Sequence, residues 1–392
     1  MKNKLLAISF TMPPQLFPRA TQVGRLLKTL SRDSGIQITV VHGSPSHQTL
    51  LDFELSNFYN TAYTLVMVPD LQQENSDSDS WSKEAFNTAK NLITKGNYSA
   101  MITFSMPWVD HLVGLKIKQE LNLPWIAHFS DPLVDNIYLR ENAKDSEIIR
   151  WTEEEEKVID HCDKVSFTSQ ETLDLVMCKY PLEWKEKAII LNNCYDTELF
   201  PKQKNRFMRD DDILHIVHTG NLYSKRSALT FIKVIESLHL PIRVTFVGTT
   251  SNAHLTYVNE HNLSQYFHFR SPMPYLRSLE FAQSADVLLL VDALTEMPSP
   301  FLPSKLADYI MLEKPILGLT PKEGTSAKIL QQLDQPCVSP EDSDSIRHAV
   351  LRLYQVWSDG ELHYLGKTAP EVRGKFDVNS VATILEENIL KL

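Results

Sequence analysis

Residues 299–319 read SPFLPSKLADYIMLEKPILGL. Pro300 and Pro303 can only precede or open a helix, so the periodic run starts near Ser304 and Lys305 falls in its first turn. Leu306, Tyr309 and Ile310 share an arc that can face a core, and Pro315–Leu319 follows as a short buried strand. A lysine at a helix start meets the positive end of the helix dipole, which is unfavourable by about 0.3–1 kcal/mol unless an anion sits between them. Unsatisfied first-turn N–H groups plus one ammonium form a phosphate seat, and Asp308 projects from the same helical face. A solvated surface lysine is the plain alternative.

The helix-then-strand unit repeats in both directions, which is the signature of stacked βαβ units on parallel sheets. In the first half the spacing predicts strands at Leu5–Phe10, Gln37–Val41, Ala100–Phe104, Trp125–Phe129, Val165–Thr168 and Ala188–Leu191. Helices fall between them at Thr21–Ser31, Ser82–Thr94, Val109–Leu121, Asp145–Asp160 and Gln170–Lys179. In the second half strands are predicted at Leu214–Thr219, Arg243–Val247, Tyr266–Phe269, Val287–Val291, Pro315–Leu319 and Cys337–Ser339. Their helices are Ser227–Leu238, Ala253–His261, Pro274–Gln283, Pro303–Leu312, Ser326–Leu333 and Asp344–Trp357. The pattern breaks near Asn192–Lys204, which reads as a linker, and the amphipathic helix Val378–Leu392 has no strand after it. The expectation is an α/β chain of two doubly wound domains, 1–196 and 197–375, with a terminal helix from 376 to 392.

Size and composition narrow the function. At 392 residues the chain exceeds one ordinary core, and its 43% hydrophobic and 22% charged content is that of a soluble globular protein. No run of about 18 apolar residues occurs, and Pro13 and Pro14 cut short the apolar start, so a first strand is expected rather than a secretion signal. Cys162, Cys178, Cys194 and Cys337 form no CxxC pair and no metal-ligand spacing, and read as reduced thiols of a cytoplasmic protein. The net charge of −10 argues against general nucleic-acid binding. With only 12 glycines the chain carries no GxGxxG, no P-loop, no GxSxG elbow and no HExxH helix. Asp77-Ser78-Asp79 resembles a metal-binding Asp-x-Asp but falls in the polar stretch Gln72–Ser80, which reads as an exposed loop, so no metal site is assigned.

A second constellation opens the second half. The strand ILHIVHTG (213–220) is followed by Asn221, Lys225 and Arg226 and then a helix. A glycine at a strand's carboxyl end, two cations and a helix start are the parts of an anion site in an open α/β sheet. Lys305 would lie at the same edge, and two cationic sites on one edge suit a diphosphate.

The chain resembles the retaining glycosyltransferases of family 4, which have the GT-B fold of two facing Rossmann-like domains. The resemblance runs through PWIAHFSDP (124–132), VSFTSQET (165–172), LNNCYDTELF (191–200), HTGNLYSKR (218–226), FVG (246–248), SADVLLL (284–290) and PSKLADY with KPIL (303–317). It implies a nucleotide-diphosphate sugar in the second domain. Arg226, Lys225 and Lys305 would neutralise the diphosphate, Gly220 and Asn221 would admit close approach, and amides at Ser304 and Lys305 would touch phosphate. Asp308 would take ribose hydroxyls, and backbone around Ser271–Met273 would line the base. In the first domain His128 and Asp131 would face the cleft near the transferred sugar, and Phe17 and Arg19 would approach the acceptor. A buried histidine with a helix-capping aspartate is the structural alternative for His128 and Asp131. Two departures stand out: Pro300 replaces the first of two glutamates separated by seven residues, with Asp308 at the second, and Asn221 replaces a frequent arginine.

The resemblance implies metal-independent glycosyl transfer without a cofactor, to a glycan or lipid-linked acceptor, in bacterial surface polysaccharide, lipopolysaccharide or exopolysaccharide assembly. The terminal helix would cross back to the first domain. On the helix after the first strand, Val23, Leu26, Leu27 and Leu30 point inward, and Arg25, Lys28 and Arg32 outward. Such a basic stripe suits peripheral contact with the inner face of a membrane, and a solvated face is its alternative. Two rivals remain: a nucleotide-sugar epimerase of the same architecture, and a non-catalytic relative that binds sugar nucleotides and partners another transferase.

Overall fold

The computed structural model describes residues 3–46, 49–59, 61–69, 78–200, 212–223, 225–295, 298–366 and 369–392. They form two compact units, one of residues 1–194 with 378–392, the other of residues 195–377. The first unit holds β1 (Lys4–Ile8), β2 (Gln37–Gly43), β3 (Thr64–Val68), β4 (Ala100–Phe104), β5 (Trp125–Phe129), β6 (Lys164–Phe167) and β7 (Ala188–Ile190). The second holds β8 (Leu214–Thr219), β9 (Ile242–Val247), β10 (Phe267–Arg270), β11 (Val287–Val291), β12 (Ile316–Leu319) and β13 (Cys337–Val338).

Each unit is one parallel sheet between layers of helices. The orders are β3-β2-β1-β4-β5-β6-β7 and β10-β9-β8-β11-β12-β13, with every strand pair parallel. Strands covered on both faces need continuous apolar runs, and β4, β5, β8 and β11 are buried along their whole length. In both sheets the order reverses once, between β1 and β4 and between β8 and β11. Neighbouring crossovers leave a crevice there at the carboxyl ends of the strands. This is the two-domain Rossmann-like architecture of the GT-B fold.

The expected strands all form, and β4, β5, β8 and β11 keep the expected bounds. The strand β3 and the helix Phe53–Tyr59 were not anticipated. Because β3 is a sheet edge whose side chains are mostly half-buried or exposed, with Met67 at 56% exposure, no burial demand marks it in the sequence. The expected loop Gln72–Ser80 lies outside the described residues up to residue 77, and the helix Ser78–Lys95 already begins at its end. Asp77 is likewise outside the described residues, and Ser78 and Asp79 start that helix.

The terminal helix Val378–Ile389 belongs to the first unit and packs along the helix Pro18–Ser34. Its buried positions Val378, Val381, Ala382, Leu385 and Ile389 fall on one helical stripe. That second cover corrects the expected basic stripe. Helix Pro18–Ser34 is buried from Ala20 through Leu27, and Arg25 is fully enclosed, donating to the Cys194 carbonyl. Lys28 places its ammonium 3.8 Å from the centre of the Phe58 ring, and Arg32 binds Asp33 and the Asn379 side chain. A pattern that names one inward face cannot register a helix packed on two sides. Gln22, buried beside Arg25, accepts the Cys194 N–H at 2.9 Å, so polar groups of this helix fix the last residues of the first unit.

All four cysteines are thiols. Among the described residues no helix is long and apolar enough to cross a membrane. Leu385→Ala should cost about 2–5 kcal/mol, because its fully buried side chain leaves a cavity against the first helix. The adjacent Ile384→Ala, at a 40% exposed position, should stay within about 0.5 kcal/mol in the same urea titration.

Candidate functional site

The second unit gathers its polar groups where β8 and β11 part. The ladder between them pairs Ile216 with Val287 and Val217 with Leu288. Beyond it, side chains take over the backbone groups. His218 bonds the Leu289 carbonyl through Nδ1 at 2.8 Å, and the Tyr309 hydroxyl accepts the Thr219 N–H at 2.9 Å. Gly220 then turns the chain with φ +120°, and a Cβ there would collide with the Lys305 ammonium. Gly248, at φ +140° after β9, would likewise drive a Cβ into the Gly220 carbonyl.

Lys305 lies in the first turn of the helix Ser304–Leu312, whose N-cap is Pro303, a residue with no side-chain acceptor for the first amides. Its Nζ stands 3.5 Å from His218 Nε2. The Leu289 carbonyl only accepts, so His218 carries its proton on Nδ1, and Nε2 is left as a lone pair facing the ammonium. Burial holds the His218 imidazolium well below its ordinary range, and the nearby Lys305 and Arg226 add to the effect. Lys305 is itself pushed well below the usual lysine range, first by burial and then by repulsion from Arg226, with Asp292 opposing.

Asp292 follows β11 directly and is fully buried. It accepts the Ser326 hydroxyl at 3.1 Å and the Ala293 N–H at 3.0 Å, and stands 3.5 Å from Arg226 Nη2. Arg226 also lies 5.4 Å from the centre of the Tyr223 ring. The structure therefore brings together Gly220, Arg226 and Lys305, and adds His218, Asp292 and Tyr309. The other expected positions are arranged differently. Asn221 accepts the Thr249 N–H at 2.9 Å and so ties the β8 loop to the β9 loop. Asp308 receives the Tyr275 hydroxyl at 2.7 Å. Lys225 and Ser271 are exposed, Ser304 and Met273 are half-buried, and the Pro300 carbonyl accepts the Thr325 hydroxyl at 3.0 Å.

In the first unit the corresponding parting lies between β1 and β4. Asp110, fully buried in the first turn of Val109–Leu121, accepts the Phe10 N–H with both oxygens, at 3.0 and 2.9 Å. Burial raises its carboxyl well above the usual range despite that bond and Arg19. Arg19 is pushed down to about 10 by burial, with Asp131 and Asp110 opposing. His128, at the end of β5, is buried and bonds the Ser166 hydroxyl at 2.9 Å. Burial, Arg19 and His111 keep it neutral. Asp131 begins no helix; the next one, Ile137–Arg140, is capped by the Asn136 side chain. Phe17 caps the helix Pro18–Ser34 with backbone only and is 45% exposed. Among the described residues no group of three or more His, Cys, Asp or Glu could hold a metal ion.

The sequence reading missed Asp292, Asp110, His218 and Tyr309. For Asp292 and His218 a signal was present: an acid directly after the buried run VLLLV and a histidine inside another buried run are costly unless partnered. Asp110 and Tyr309 bind amides distant in sequence and carry no such mark.

No family model matches the chain, and no curated protein matches it by sequence. Solved structures match it along its length. Sucrose-phosphate synthase from Thermosynechococcus elongatus superposes with a TM-score of 0.79 at 13% identity, covering 100% of this chain and 99% of that one. HepE of Anabaena, in complex with UDP-glucose, gives 0.72 at 12% identity over 99% and 100%. UDP-GlcNAc 2-epimerase from Neisseria meningitidis, bound to UDP-GlcNAc, gives 0.64 at 11% over 100% of both chains. At these identities the likeness establishes the fold.

A half-buried lysine whose proton affinity is lowered by folding costs stability. The penalty is absent above its ordinary value of 10.5 and grows as pH falls toward the depressed folded value. Lys305→Met should therefore raise Tm at pH 7, and the gain over the unmodified protein should shrink as pH rises to 10.5, as read by thermal melts across pH.

Proposed function

We propose that the second unit binds a nucleotide-diphosphate sugar and that the chain transfers the sugar, with retained configuration, to a hydroxyl of a glycan or lipid-linked acceptor. The observation that carries this reading is the convergence of Arg226 and Lys305 beside Gly220 at the β8/β11 parting, with one carboxylate, Asp292, between them. Such an edge is where open α/β sheets take phosphorylated ligands. The match to structures holding UDP-glucose and UDP-GlcNAc supports the same ligand class. Of the family 4 positions, Arg226 and Lys305 would meet the diphosphate, amides at Ser304 and Lys305 a phosphate oxygen, Asp308 the ribose, and the Ser271–Met273 backbone the base. His128 and Asp131 would serve the transferred sugar, and Phe17 and Arg19 the acceptor.

Transfer on the same face breaks the bond between the anomeric carbon and the β-phosphate oxygen. It forms the bond from the acceptor oxygen to that carbon, and the acceptor's proton passes to the departing phosphate. No side-chain nucleophile is needed, and the barrier falls as preorganised cations stabilise the leaving diphosphate. Arg226 and Lys305 supply that charge without a metal. A cytoplasmic enzyme of surface polysaccharide, lipopolysaccharide or exopolysaccharide assembly fits this chemistry. The match to the 2-epimerase keeps one rival in view, an enzyme that remakes the sugar and needs no acceptor.

Screening sugar nucleotides by thermal shift, then analysing products with and without acceptor, separates the readings. Transfer predicts an acceptor-dependent product with the donor's anomeric configuration by NMR; an epimer formed without acceptor would replace it with the rival. Lys305→Ala should lower kcat by about 10²–10³-fold, equivalent to about 2.7–4 kcal/mol of barrier, with the fold intact by circular dichroism. Arg226→Ala strands the buried Asp292, so it is best tested together with Asp292→Asn, where the same loss is expected. Near-normal turnover in both variants would end the assignment.

A further inference from the structure

Arg226 is held from a second side, through its backbone. It sits in the turn between β8 and the helix Leu229–Leu238, where its own N–H binds the Tyr223 carbonyl at 2.9 Å. The N-cap of that helix is Ala228, which has no side-chain acceptor, so the first amides lack the usual Ser, Thr, Asp or Asn cap. An imidazole from the following helix, Asn252–Glu260, instead satisfies the amide of the N-cap residue itself. His254 Nε2 accepts the Ala228 N–H at 3.0 Å and lies 3.2 Å from the Ser227 hydroxyl, whose oxygen accepts the Leu229 N–H at 3.2 Å.

The bonding fixes the tautomer. An amide N–H can only donate, so Nε2 is unprotonated, and the ring proton is on Nδ1, which reaches the Ser251 hydroxyl at 2.6 Å. The His254 ring is buried, with Ser251, Ser227 and the Ala228 amide facing it and, among the described residues, no charged side chain acting on it. Burial lowers its pKa below the ordinary value, against a backbone contact of Ser251.

We propose that His254 is a positioning residue for Arg226: its neutral imidazole caps the helix after the Arg226 turn and thereby fixes the guanidinium where a diphosphate is met. The assignment rests on the reading that Arg226 contacts the donor's diphosphate. Protonation of Nε2 would set a donor against the Ala228 N–H, which breaks that bond and releases the cap. Donor binding therefore carries an acid limb set two residues beyond the contact itself. His254 touches no reacting atom and acts only through Ser227 and Ala228.

Two measurements test this, with UDP as the probe. His254→Phe removes the acceptor, and UDP should bind about five- to thirtyfold more weakly, the worth of a lost cap. His254→Gln places an amide oxygen near the Nε2 position, and should restore binding while leaving only the part of the expected acid limb that protonation of UDP's own terminal phosphate causes. In ligand-free protein, amide exchange at Arg226, Ala228 and Leu229 should quicken in His254→Phe and return in His254→Gln, all at one pH. Unchanged exchange and unchanged UDP affinity in His254→Phe would overturn the proposal, as would an acid limb in His254→Gln as steep as that of the unmodified protein. Equal UDP affinity in Lys305→Ala and the unmodified protein would sink the diphosphate reading instead, and the exchange rates would still decide the role of His254.

Discussion

The second unit depends on how two parallel strands stop pairing. The ladder from β8 to β11 ends at Val217 and Leu288, and the next backbone groups must find partners or remain buried and unsatisfied, at a cost of about 1–3 kcal/mol each. Two side chains answer that demand: His218 donates to the Leu289 carbonyl, and Tyr309 accepts the Thr219 N–H. The same repairs create the site. By spending its Nδ1 proton on the carbonyl, His218 must present a lone pair at Nε2, and Lys305 lies against it. Tyr309, one turn along the helix from Lys305, anchors that helix to β8 and so fixes how far the ammonium reaches. A parting of strands, closed by polar side chains, thus sets a cation over a glycine at the sheet edge.

The sequence carried the fold wherever burial is two-sided. Runs such as VLLLV and WIAHF must be apolar almost throughout, and their lengths marked strands whose bounds the structure keeps. The edge strand β3 had no such requirement and left no comparable trace. Lys305 and Gly220 were legible because each violates a local rule, a cation at the wrong end of a helix and a glycine closing a buried strand. Residues whose meaning lies in distant neighbours were not legible: Asp110 and His254 look ordinary until the fold supplies the Phe10 amide and the Ala228 amide. Arg25 misled for a related reason. Periodicity placed it on an outer face, and the terminal helix, entering from nearly two hundred positions beyond the first unit's last strand, turned that face inward.

Both units meet the same topological problem, yet their charge differs. At the β1/β4 parting one arginine, Arg19, lies among two carboxylates, Asp110 and Asp131. At the β8/β11 parting two cations, Arg226 and Lys305, share a single carboxylate. Asp110 is further committed to the Phe10 amide, so its role is to close the backbone where Tyr309 does so in the second unit. The surplus of positive charge therefore belongs to the second unit.

That surplus bears on the two readings of Lys305. A solvated surface lysine would keep its ordinary proton affinity, whereas this one is held well below it by burial and by Arg226. Among the described residues Asp292 is the carboxylate that acts on it, and Asp292 is already engaged by Arg226, Ser326 and the Ala293 amide. A fold selected for stability alone would place an apolar side chain here, since one buried carboxylate cannot repay the desolvation of two cations. On the reading proposed above, the remaining negative charge comes from outside the chain. On that reading a diphosphate would supply it, one phosphate meeting the uncapped amides of the helix start and the other the guanidinium. The local disfavour at Lys305 is then the unliganded half of a binding equilibrium, which is why a residue that breaks a folding rule marks the place where a ligand belongs.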